Sequence, residues 1–352
     1  MANELIKQGY IISILAIADR FTDVIVKEKR GTPHNNFEIL RLPYKEPFIH
    51  KAKEWVDTQD PDWLSLQYVP FSFNDRGLHF GLSKDLLEIG KNRKWQIMFH
   101  ELWVGMEKGS KLKFHVWGIL QRFLIKRLLE NLCPAVIHTQ SKLYQAHLKD
   151  LGYRAIYLPL FSNIPNIRKS KSNLPNGKSE KRKEVRFIVF GTIQKNAPIK
   201  EFAKEARKFQ KEKGIKLKLI IVGRAHAEQE LWRKIWASNN LEVELLGELS
   251  PPDVSDAMLN SSVGLATTVY PKIEKSGSVA ALREHDLRVI CVAGAWQPRL
   301  NTYIPSNSSI IQYKIGNFNS CLRAALDTQR EIPSDISSIT AKFIKNLEAG
   351  VI

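Results

Sequence analysis

The sequence predicts an α/β protein with two domains, each built on a mostly parallel sheet. Apolar runs of strand length alternate with longer amphipathic stretches, a pattern that is typical of βαβ units. Residues 166–184 interrupt this alternation with seven lysines or arginines and a Pro-Asn-Gly turn signal, and a second alternation follows. The length of 352 residues, 43% of them hydrophobic, is ample for two cores.

These features place a first domain at 1–165, a basic linker at 166–184 and a second domain at 185–333. The C-terminal segment 334–352 has a helical pattern and can pack on either half, including back on the first domain.

The strands and helices are expected in a regular order along the chain. The apolar runs of the first domain predict strands at 10–18, 63–68, 95–99, 135–139 and 155–158. Those of the second predict strands at 185–190, 217–222, 242–246, 263–267, 288–292 and 310–313, with helices at 199–213, 227–238, 251–259 and 278–285. In open α/β sheets, ligands bind outside the carboxyl ends of the strands, so the residues that follow each strand are the candidates for function.

Charge and cysteine content restrict the class of partner and the compartment. Lysine and arginine number 53 against 36 acidic residues, a net charge of +17 that attracts phosphate-bearing partners. The sequence has no zinc-finger, RNA-recognition or basic-zipper signature, so we expect no nucleic acid partner. Three widely spaced cysteines, no secretory signal pattern and no apolar run of spanning length favour a reducing cytoplasm.

Two glycine turns at predicted strand ends carry cations. Gly191 follows the first strand of the second domain and precedes Lys195 and Lys200, which lead into a helix. Gly223 follows the next strand and stands beside Arg224. Such turns can present backbone N–H groups and positive charge to a diphosphate, although a surface connection with solvated lysines is the simpler account of the residues alone.

A third candidate segment runs from Glu274 through Ser276, Gly277 and Ser278 into a helix of small residues. Free N–H groups and the helix dipole at such a start favour a negatively charged ligand. An ordinary serine cap explains Ser276 or Ser278 as well, but it leaves the Lys-Ser-Gly-Ser sequence unexplained.

The second half resembles the donor domain of the family 4 glycosyltransferases. The resemblance rests on five pieces within residues 185–293: a strand followed by Gly-x-x-x-Lys, then LKLIIVGRAH, LEVELLGELSPPDVSDAML, VGLATT and KSGSVAALREHDLRVICV. It implies the GT-B fold, in which two facing Rossmann-like domains have a cleft between them.

By that resemblance, nearly all of the donor-side candidates lie at strand ends or at the helix start. Lys195, with Lys200 as an alternative, would contact the donor diphosphate, and residues 276–278 would cradle it. The other donor-side candidates are Gly191 and Gly223 along the nucleotide pocket, Glu248 near the base, Arg224 and Glu274. Two departures from the family pattern stand out, because Ala281 occupies the place of the second of two glutamates and Thr192 that of an arginine.

The first half is similar to segments of bacterial family 4 enzymes at QYVPFSFNDRGL, residues 67–78, and at the strand WQIMF with the His100-Glu101 pair that follows it. The resemblance implies that His100, with Glu101 beside it, contacts the transferred sugar. It places Phe73, Arg76 and Gly77 on the acceptor side.

The helical stretch 115–132 carries both apolar and basic residues. Its pattern predicts an apolar face of Trp117, Leu120, Leu124 and Leu128, with Arg122, Lys126 and Arg127 near the edge. A core-facing helix with solvated cations and a helix that rests on an anionic membrane both fit this pattern.

The resemblance therefore implies a retaining hexosyl transfer from a nucleotide sugar to a glycan or lipid-linked acceptor. No Asp-x-Asp run follows a predicted strand, so we expect no metal and no cofactor beyond the nucleotide-sugar co-substrate. We expect a cytoplasmic protein, with the inner face of the cell membrane as a contact. A nucleotide-sugar epimerase of the same fold and a non-catalytic sugar-nucleotide-binding relative remain alternatives.

Overall fold

The computed structural model describes residues 1–32, 35–44, 48–167, 184–224, 226–301, 303, 309–327 and 335–350, and these residues form two compact units. The first unit contains the described residues within 1–159, 298–303 and 336–350. The second unit contains those within 160–297 and 304–335. The chain therefore leaves the first unit and returns to it twice.

The first unit contains two sheets. Its strands are β1 Ser13–Asp19, β2 Val26–Thr32, β3 Asn35–Pro43, β4 Trp63–Tyr68, β5 Lys94–Phe99, β6 Val136–Thr139 and β7 Ile156–Tyr157. One sheet has the order β1-β3-β2, in which β2 and β3 are antiparallel, and the other has the all-parallel order β4-β5-β6-β7. Its helices are α1 Ala2–Lys7, α2 Ile49–Gln59, α3 Pro70–Phe73, α4 Leu82–Ile89, α5 Leu112–Leu132 and α6 Lys142–Asp150.

The second unit is one parallel sheet with helices. Its strands are β8 Glu184–Phe190, β9 Lys216–Val222, β10 Glu242–Gly247, β11 Val263–Ala266, β12 Val289–Cys291 and β13 Ile310–Gln312. Its helices are α7 Ile199–Lys213, α8 Ala227–Ser238, α9 Pro251–Leu259, a 3₁₀ helix Tyr270–Lys275, α10 Gly277–Glu284 and α11 Phe318–Leu326. A last helix, α12 Ile336–Glu348, belongs to the first unit.

The strand order of the second unit is β10-β9-β8-β11-β12-β13. The order reverses between β8 and β11, because the chain winds outward from these two central strands in opposite directions. Such a reversal is the topological switch point at which Rossmann-type sheets bind their ligands.

Aromatic side chains fill the core on one face of this sheet. Trp232 and Trp236 of α8 are buried with Phe187 of β8, Phe202 of α7 and Phe318 of α11. The Phe187 ring lies 6.0 Å from that of Trp236 and 5.9 Å from that of Phe202, both edge-to-face. This packing fixes α7 and α8 against the strands whose ends carry the candidate residues.

The chain enters the second unit before the predicted boundary at 165. The Ser162 N–H donates to the Glu284 carboxylate over 3.3 Å, and the Asn166 side-chain amide donates to the Glu284 carbonyl over 2.8 Å. Residues 160–167 therefore belong to the second unit, and the rest of the predicted linker, residues 168–183, lies outside the described residues.

The C-terminal helix α12 packs on the first unit. Its Lys342 ammonium donates to the Tyr157 carbonyl at 2.9 Å, and its Phe343 ring lies 5.5 Å from the His138 ring. Residues 298–303 return to the same unit, where the Arg299 N–H donates to the Met106 carbonyl at 2.8 Å.

The aromatic core yields a first prediction. Trp236→Ala removes a fully buried indole and its hydrogen bond to the Glu242 carbonyl, so we expect the free energy of unfolding to fall by about 3–5 kcal/mol. Leu231→Ala, at a half-exposed site on the same helix, should lower it by less than about 1 kcal/mol. Urea unfolding followed by circular dichroism measures both, and similar losses would contradict the assignment of this core.

Candidate functional site

Two glycine turns meet at the switch point of the second unit. Gly191 follows β8 with φ +83°, and Gly223 follows β9 with φ +135°. The Gly191 N–H donates to the Val222 carbonyl at 2.9 Å, and the Gly223 N–H donates to the Gly247 carbonyl at 2.7 Å. These two hydrogen bonds extend the backbone hydrogen bonding of the sheet past the strand ends and hold the backbones of the two turns side by side.

Helix α10 approaches the Gly191 turn closely. A Cβ atom at Gly191 would lie 2.8 Å from the Ser278 hydroxyl, and one at Gly223 would lie 3.2 Å from the Gly191 Cα atom. Because both positions also have positive φ, a side chain at either would be strained as well as crowded. Gly191, Gly223 and Ser278, which the sequence analysis placed on three separate segments, therefore lie together.

The start of α10 leaves two backbone donors available. The Ser276 hydroxyl accepts the Val279 N–H at 3.4 Å and so caps the helix, as the simpler of the two interpretations expected. The N–H groups of Gly277 and Ser278 have no acceptor among the described residues, and a Cβ at Gly277 would meet nothing within 4 Å. A ligand can therefore reach the positive end of the helix dipole here.

The segment after Gly191 is held against the strand end. The Gln194 N–H donates to the buried Thr267 hydroxyl at 2.9 Å, and Ile193 is buried beneath the turn. Lys195 and Lys200 extend from this anchored segment, and both are exposed and have no hydrogen-bond or ion-pair partner among the described residues. They supply two positive charges beside the glycine turn.

The remaining donor-side candidates have partners. Arg224 and Glu248, which follow β9 and β10, form an exposed ion pair with N···O distances of 3.4 and 3.5 Å. Glu274 is half-buried in the 3₁₀ helix that precedes α10.

The sequence analysis missed Gln229, a buried residue beneath the glycine turns. Its side-chain amide donates to the Gly191 carbonyl at 3.3 Å, while its Oε1 atom is buried and has no partner among the described residues. No sequence signal distinguishes this glutamine from an ordinary polar residue of an amphipathic helix.

In the first unit, His100 is held between two glutamines at the end of β5. Its Nε2 atom lies 2.8 Å from the Gln67 Oε1 atom, and its Nδ1 atom lies 3.1 Å from the Gln140 Oε1 atom. The two amides, from the ends of the neighbouring strands β4 and β6, fix the plane of the ring. Glu101 follows at the same edge and is half-buried.

A chain of polar side chains continues from His100 across the sheet. The Gln67 amide donates to the Ser65 hydroxyl at 2.8 Å, and that hydroxyl donates to the Gln96 amide oxygen at 2.5 Å. The Gln96 Nε2 atom lies 3.1 Å from the His138 Nδ1 atom, and the Asn346 Nδ2 atom of α12 lies 2.9 Å from the His138 Nε2 atom.

The His138 ring is neutral in this environment. Burial, followed by the charge of Lys342, lowers the pKa of His138 to about 4. An amide nitrogen faces each ring nitrogen, and one of the two can donate to the ring only when the ring is neutral, because an imidazolium ring has no acceptor nitrogen.

The acceptor-side candidates form one turn beside α5. Phe73 is buried and stacks on Tyr68 with 5.9 Å between ring centroids. The Arg76 carbonyl accepts the Trp117 indole N–H at 2.7 Å, while the Arg76 side chain is exposed. Gly77 adopts φ +64°, which a side chain would strain.

Two further findings concern metal ions and the membrane. Among the described residues, no group of three or more histidine, cysteine or carboxylate side chains is arranged to hold a metal ion. No helix in the described part of the chain is long and apolar enough to cross a membrane.

No protein-family model and no curated protein sequence matches the chain. Solved structures do match it. A glycosyltransferase from Rickettsia africae is 12% identical, with 99% of this chain and 93% of that chain covered and a TM-score of 0.57. Anabaena HepE, in complex with UDP and glucose, is 13% identical, with 90% and 87% covered and a TM-score of 0.51. A UDP-N-acetylglucosamine 2-epimerase from Listeria monocytogenes is 9% identical, with 86% and 78% covered and a TM-score of 0.48.

The likeness to the first two structures spans nearly the whole chain. It confirms the fold that the sequence predicted, a GT-B protein with two Rossmann-like domains. Both glycosyltransferases and nucleotide-sugar epimerases occur among the structural neighbours.

The close approach at Gly191 yields a second prediction. Gly191→Ala adds a methyl group against the Ser278 hydroxyl at a positive φ, so we expect it to lower the melting temperature more than Gly214→Ala does. Gly214 ends α7 with φ +66° and open space around it, so its replacement costs only the backbone strain of about 1–2 kcal/mol. Equal effects in differential scanning fluorimetry would argue against the contact.

The buried His138 yields a third prediction. The unfolded chain binds a proton below about pH 6.5, whereas the folded chain does not until about pH 4, so stability falls as the pH falls through this window. Between pH 7 and pH 5 we expect His138 to account for a loss of about 2 kcal/mol. Urea unfolding at the two pH values measures this loss, and His138→Gln should remove that part of the pH dependence. An unchanged dependence in the variant would show that His138 is not the group responsible.

Proposed function

We propose that the chain is a glycosyltransferase of the family 4 type that moves a hexosyl unit from a nucleotide sugar to a glycan or lipid-linked acceptor. The observation that carries this proposal is the meeting of the Gly191 turn, the Gly223 turn and the start of α10 at the switch point of a Rossmann-like sheet. Backbone donors and the exposed Lys195 and Lys200 lie at this edge, which is the chemistry that a diphosphate needs.

The donor is assigned to the second unit. The N–H groups of Gly277 and Ser278 bind the diphosphate at the start of α10, and Lys195, with Lys200 near it, neutralises its charge. Gly191 and Gly223 allow the ligand to approach the backbone because neither carries a side chain. The crystal structure of Anabaena HepE with UDP and glucose adds support for a nucleotide ligand in this fold.

The proposed reaction replaces the glycosyl phosphate bond of the donor with a glycosidic bond to the acceptor. The bond between the anomeric carbon and the diphosphate oxygen breaks, and the same carbon bonds to an acceptor hydroxyl oxygen on the same face. The hydroxyl proton leaves with the nucleotide diphosphate. Lys195 and the α10 dipole stabilise the negative charge that develops on the departing oxygen, so the reaction needs neither a metal ion nor a further cofactor.

The first unit is assigned to the acceptor. His100 is held rigidly by Gln67 and Gln140, which suits a residue that contacts the transferred sugar, and Phe73, Arg76 and Gly77 line the acceptor side. We propose the cytoplasm, at the inner face of the cell membrane, as the location, and the three free thiols of the chain are compatible with a reducing compartment.

One observation keeps a non-catalytic, donor-binding role as a second candidate. Ala281 is buried in α10 at the place of the family's second glutamate, and the nearby Glu284 carboxylate accepts the Ser162 N–H. The carboxylate closest in sequence is thus engaged in the fold rather than available to a sugar.

The fourth prediction tests donor binding. Among UDP-, GDP-, ADP- and dTDP-sugars, we expect one to raise the melting temperature of the protein. Lys195→Ala should weaken that donor about 10- to 100-fold, because it removes a charge-assisted contact. Lys213→Ala, at an exposed site in the last turn of α7, the helix that follows Lys195, should leave the affinity unchanged. Equal weakening by both variants would mean that the protein's overall charge, and not a contact at Lys195, causes the effect, and it would argue against the site.

Turnover separates the remaining alternatives. A transferase releases the nucleotide diphosphate only when an acceptor is present, and the sugar appears on that acceptor. An epimerase converts or hydrolyses the nucleotide sugar without an acceptor. Binding without either outcome, across candidate acceptors, would favour the non-catalytic role.

A further inference from the structure

Helix α5 has a second apolar face that the fold does not bury. One face packs inward through Gly118, Gln121, Leu124, Ile125, Leu128, Leu129 and Leu132. On the opposite face, Leu112, Val116, Ile119 and Phe123 remain 75%, 52%, 53% and 56% exposed. We call these four residues the exposed stripe.

The exposed stripe is continuous along the helix. Its members are spaced by four, three and four residues, so at about 100° per residue they fall within about 60° of one another. Leu120, which is 42% exposed, widens the stripe on one side. An apolar surface of this kind usually marks a contact site, because single exposed apolar residues are common but aligned ones are not.

Basic residues surround the exposed stripe. They are Lys108, Lys111, Lys113, Arg122, Lys126 and Arg127. Lys126 and Arg127 follow Phe123 on either side of the stripe. Three acidic residues are near these cations: Glu130 pairs with Lys126 at 3.7 Å, Asp150 pairs with Arg122 at 2.9 Å, and Glu107 precedes Lys108 in the sequence. The surface as a whole is apolar in its middle and positively charged around its edge.

We propose that this face of α5 lies on an anionic lipid bilayer, with the helix parallel to the bilayer plane and the exposed stripe among the acyl chains. Phospholipid head groups then meet the surrounding lysines and arginines, as in amphipathic helices that bind membrane interfaces. A second copy of the chain is a poorer occupant, because a symmetric contact would bring two sets of cations together.

The acceptor-side turn is directly attached to this helix. The Trp117 indole donates to the Arg76 carbonyl, and the Phe71 ring lies 6.3 Å from the Trp117 ring. Trp117 and Gln121, which both donate to the Arg76 carbonyl, lie on the inward side of α5, away from the exposed stripe. Docking of α5 therefore holds residues 71–77 behind the helix at a fixed distance from the bilayer, an arrangement that suits a lipid-linked sugar as the acceptor. This choice of acceptor rests on the proposed function, whereas docking itself does not.

The fifth prediction is tested with full-length protein and lipid vesicles in a flotation assay. We expect binding to vesicles that contain phosphatidylglycerol, little binding to pure phosphatidylcholine, and weakening by salt. The double variant Ile119→Ser/Phe123→Ser should bind at least about tenfold more weakly, and Lys126→Gln/Arg127→Gln should lose about fivefold per charge.

Matched variants keep the test specific. Ile119→Leu/Phe123→Leu retains apolar side chains and should bind as the unaltered protein does. Leu231→Ser/Ile315→Ser changes two exposed apolar residues of the second unit, 44% and 71% exposed, and should also leave binding unchanged. Because the stripe is exposed, none of these variants should unfold the protein, and melting temperatures check this.

Three outcomes would overturn the proposal: no vesicle binding by the unaltered protein, equal binding by the serine variant, or a dimer in solution that the serine variant dissociates. Donor stabilisation measured without vesicles distinguishes this proposal from the proposed function. If the protein binds vesicles but no nucleotide sugar, the docking surface stands and the donor assignment fails.

Discussion

The second unit is organised around the close packing of two glycine backbones against the start of α10. Gly191 and Gly223 bring neighbouring strand ends together, and Ser278 occupies the space that a side chain at Gly191 would need. The result is a surface made of backbone rather than of side chains. Such a surface recognises anions through N–H groups and the helix dipole, and exposed lysines at its border supply the charge. The fold and the basic composition therefore point to the same ligand chemistry.

Most of the second unit could be predicted from the sequence because its central strands β8, β9, β11 and β12 are largely buried. Runs such as LKLIIV are mostly apolar, and glycine or polar residues mark their ends, so the predicted strands and helices lie close to their observed bounds, although α11 was not predicted. The contacts within the site were less accessible. Ser276 and Ser278 look equivalent in sequence, and only the structure shows that Ser276 caps the helix while Ser278 faces Gly191. Likewise, nothing in the sequence predicts that Arg224 and Glu248 neutralise each other.

The first unit was harder to predict, for two physical reasons. The antiparallel pair β2 and β3 was missed. In β2 the four consecutive charged residues 27–30 leave no apolar run, and in β3 the charged residues Glu38 and Arg41 interrupt the apolar ones. Helix α5 is apolar on nearly all sides, so periodicity could not identify the buried face. The predicted face was partly wrong, since Leu124 and Leu128 are buried but Leu120 is exposed. The polar chain from His100 to His138 joins residues on three strands, and no local pattern connects them.

The polar chain from His100 to His138 is completed only when the C-terminal helix α12 has folded onto the first unit. The Asn346 amide meets His138 across 208 positions of sequence, and Lys342 and Phe343 contact the same region of the first unit. The buried network that supports His100 is therefore complete only when α12 has been added, after the whole second unit has left the ribosome. Contacts of such sequence separation form slowly because loop closure precedes them. The second unit is contiguous apart from the short segment 298–303, so it can reach its final structure while the first unit still lacks α12.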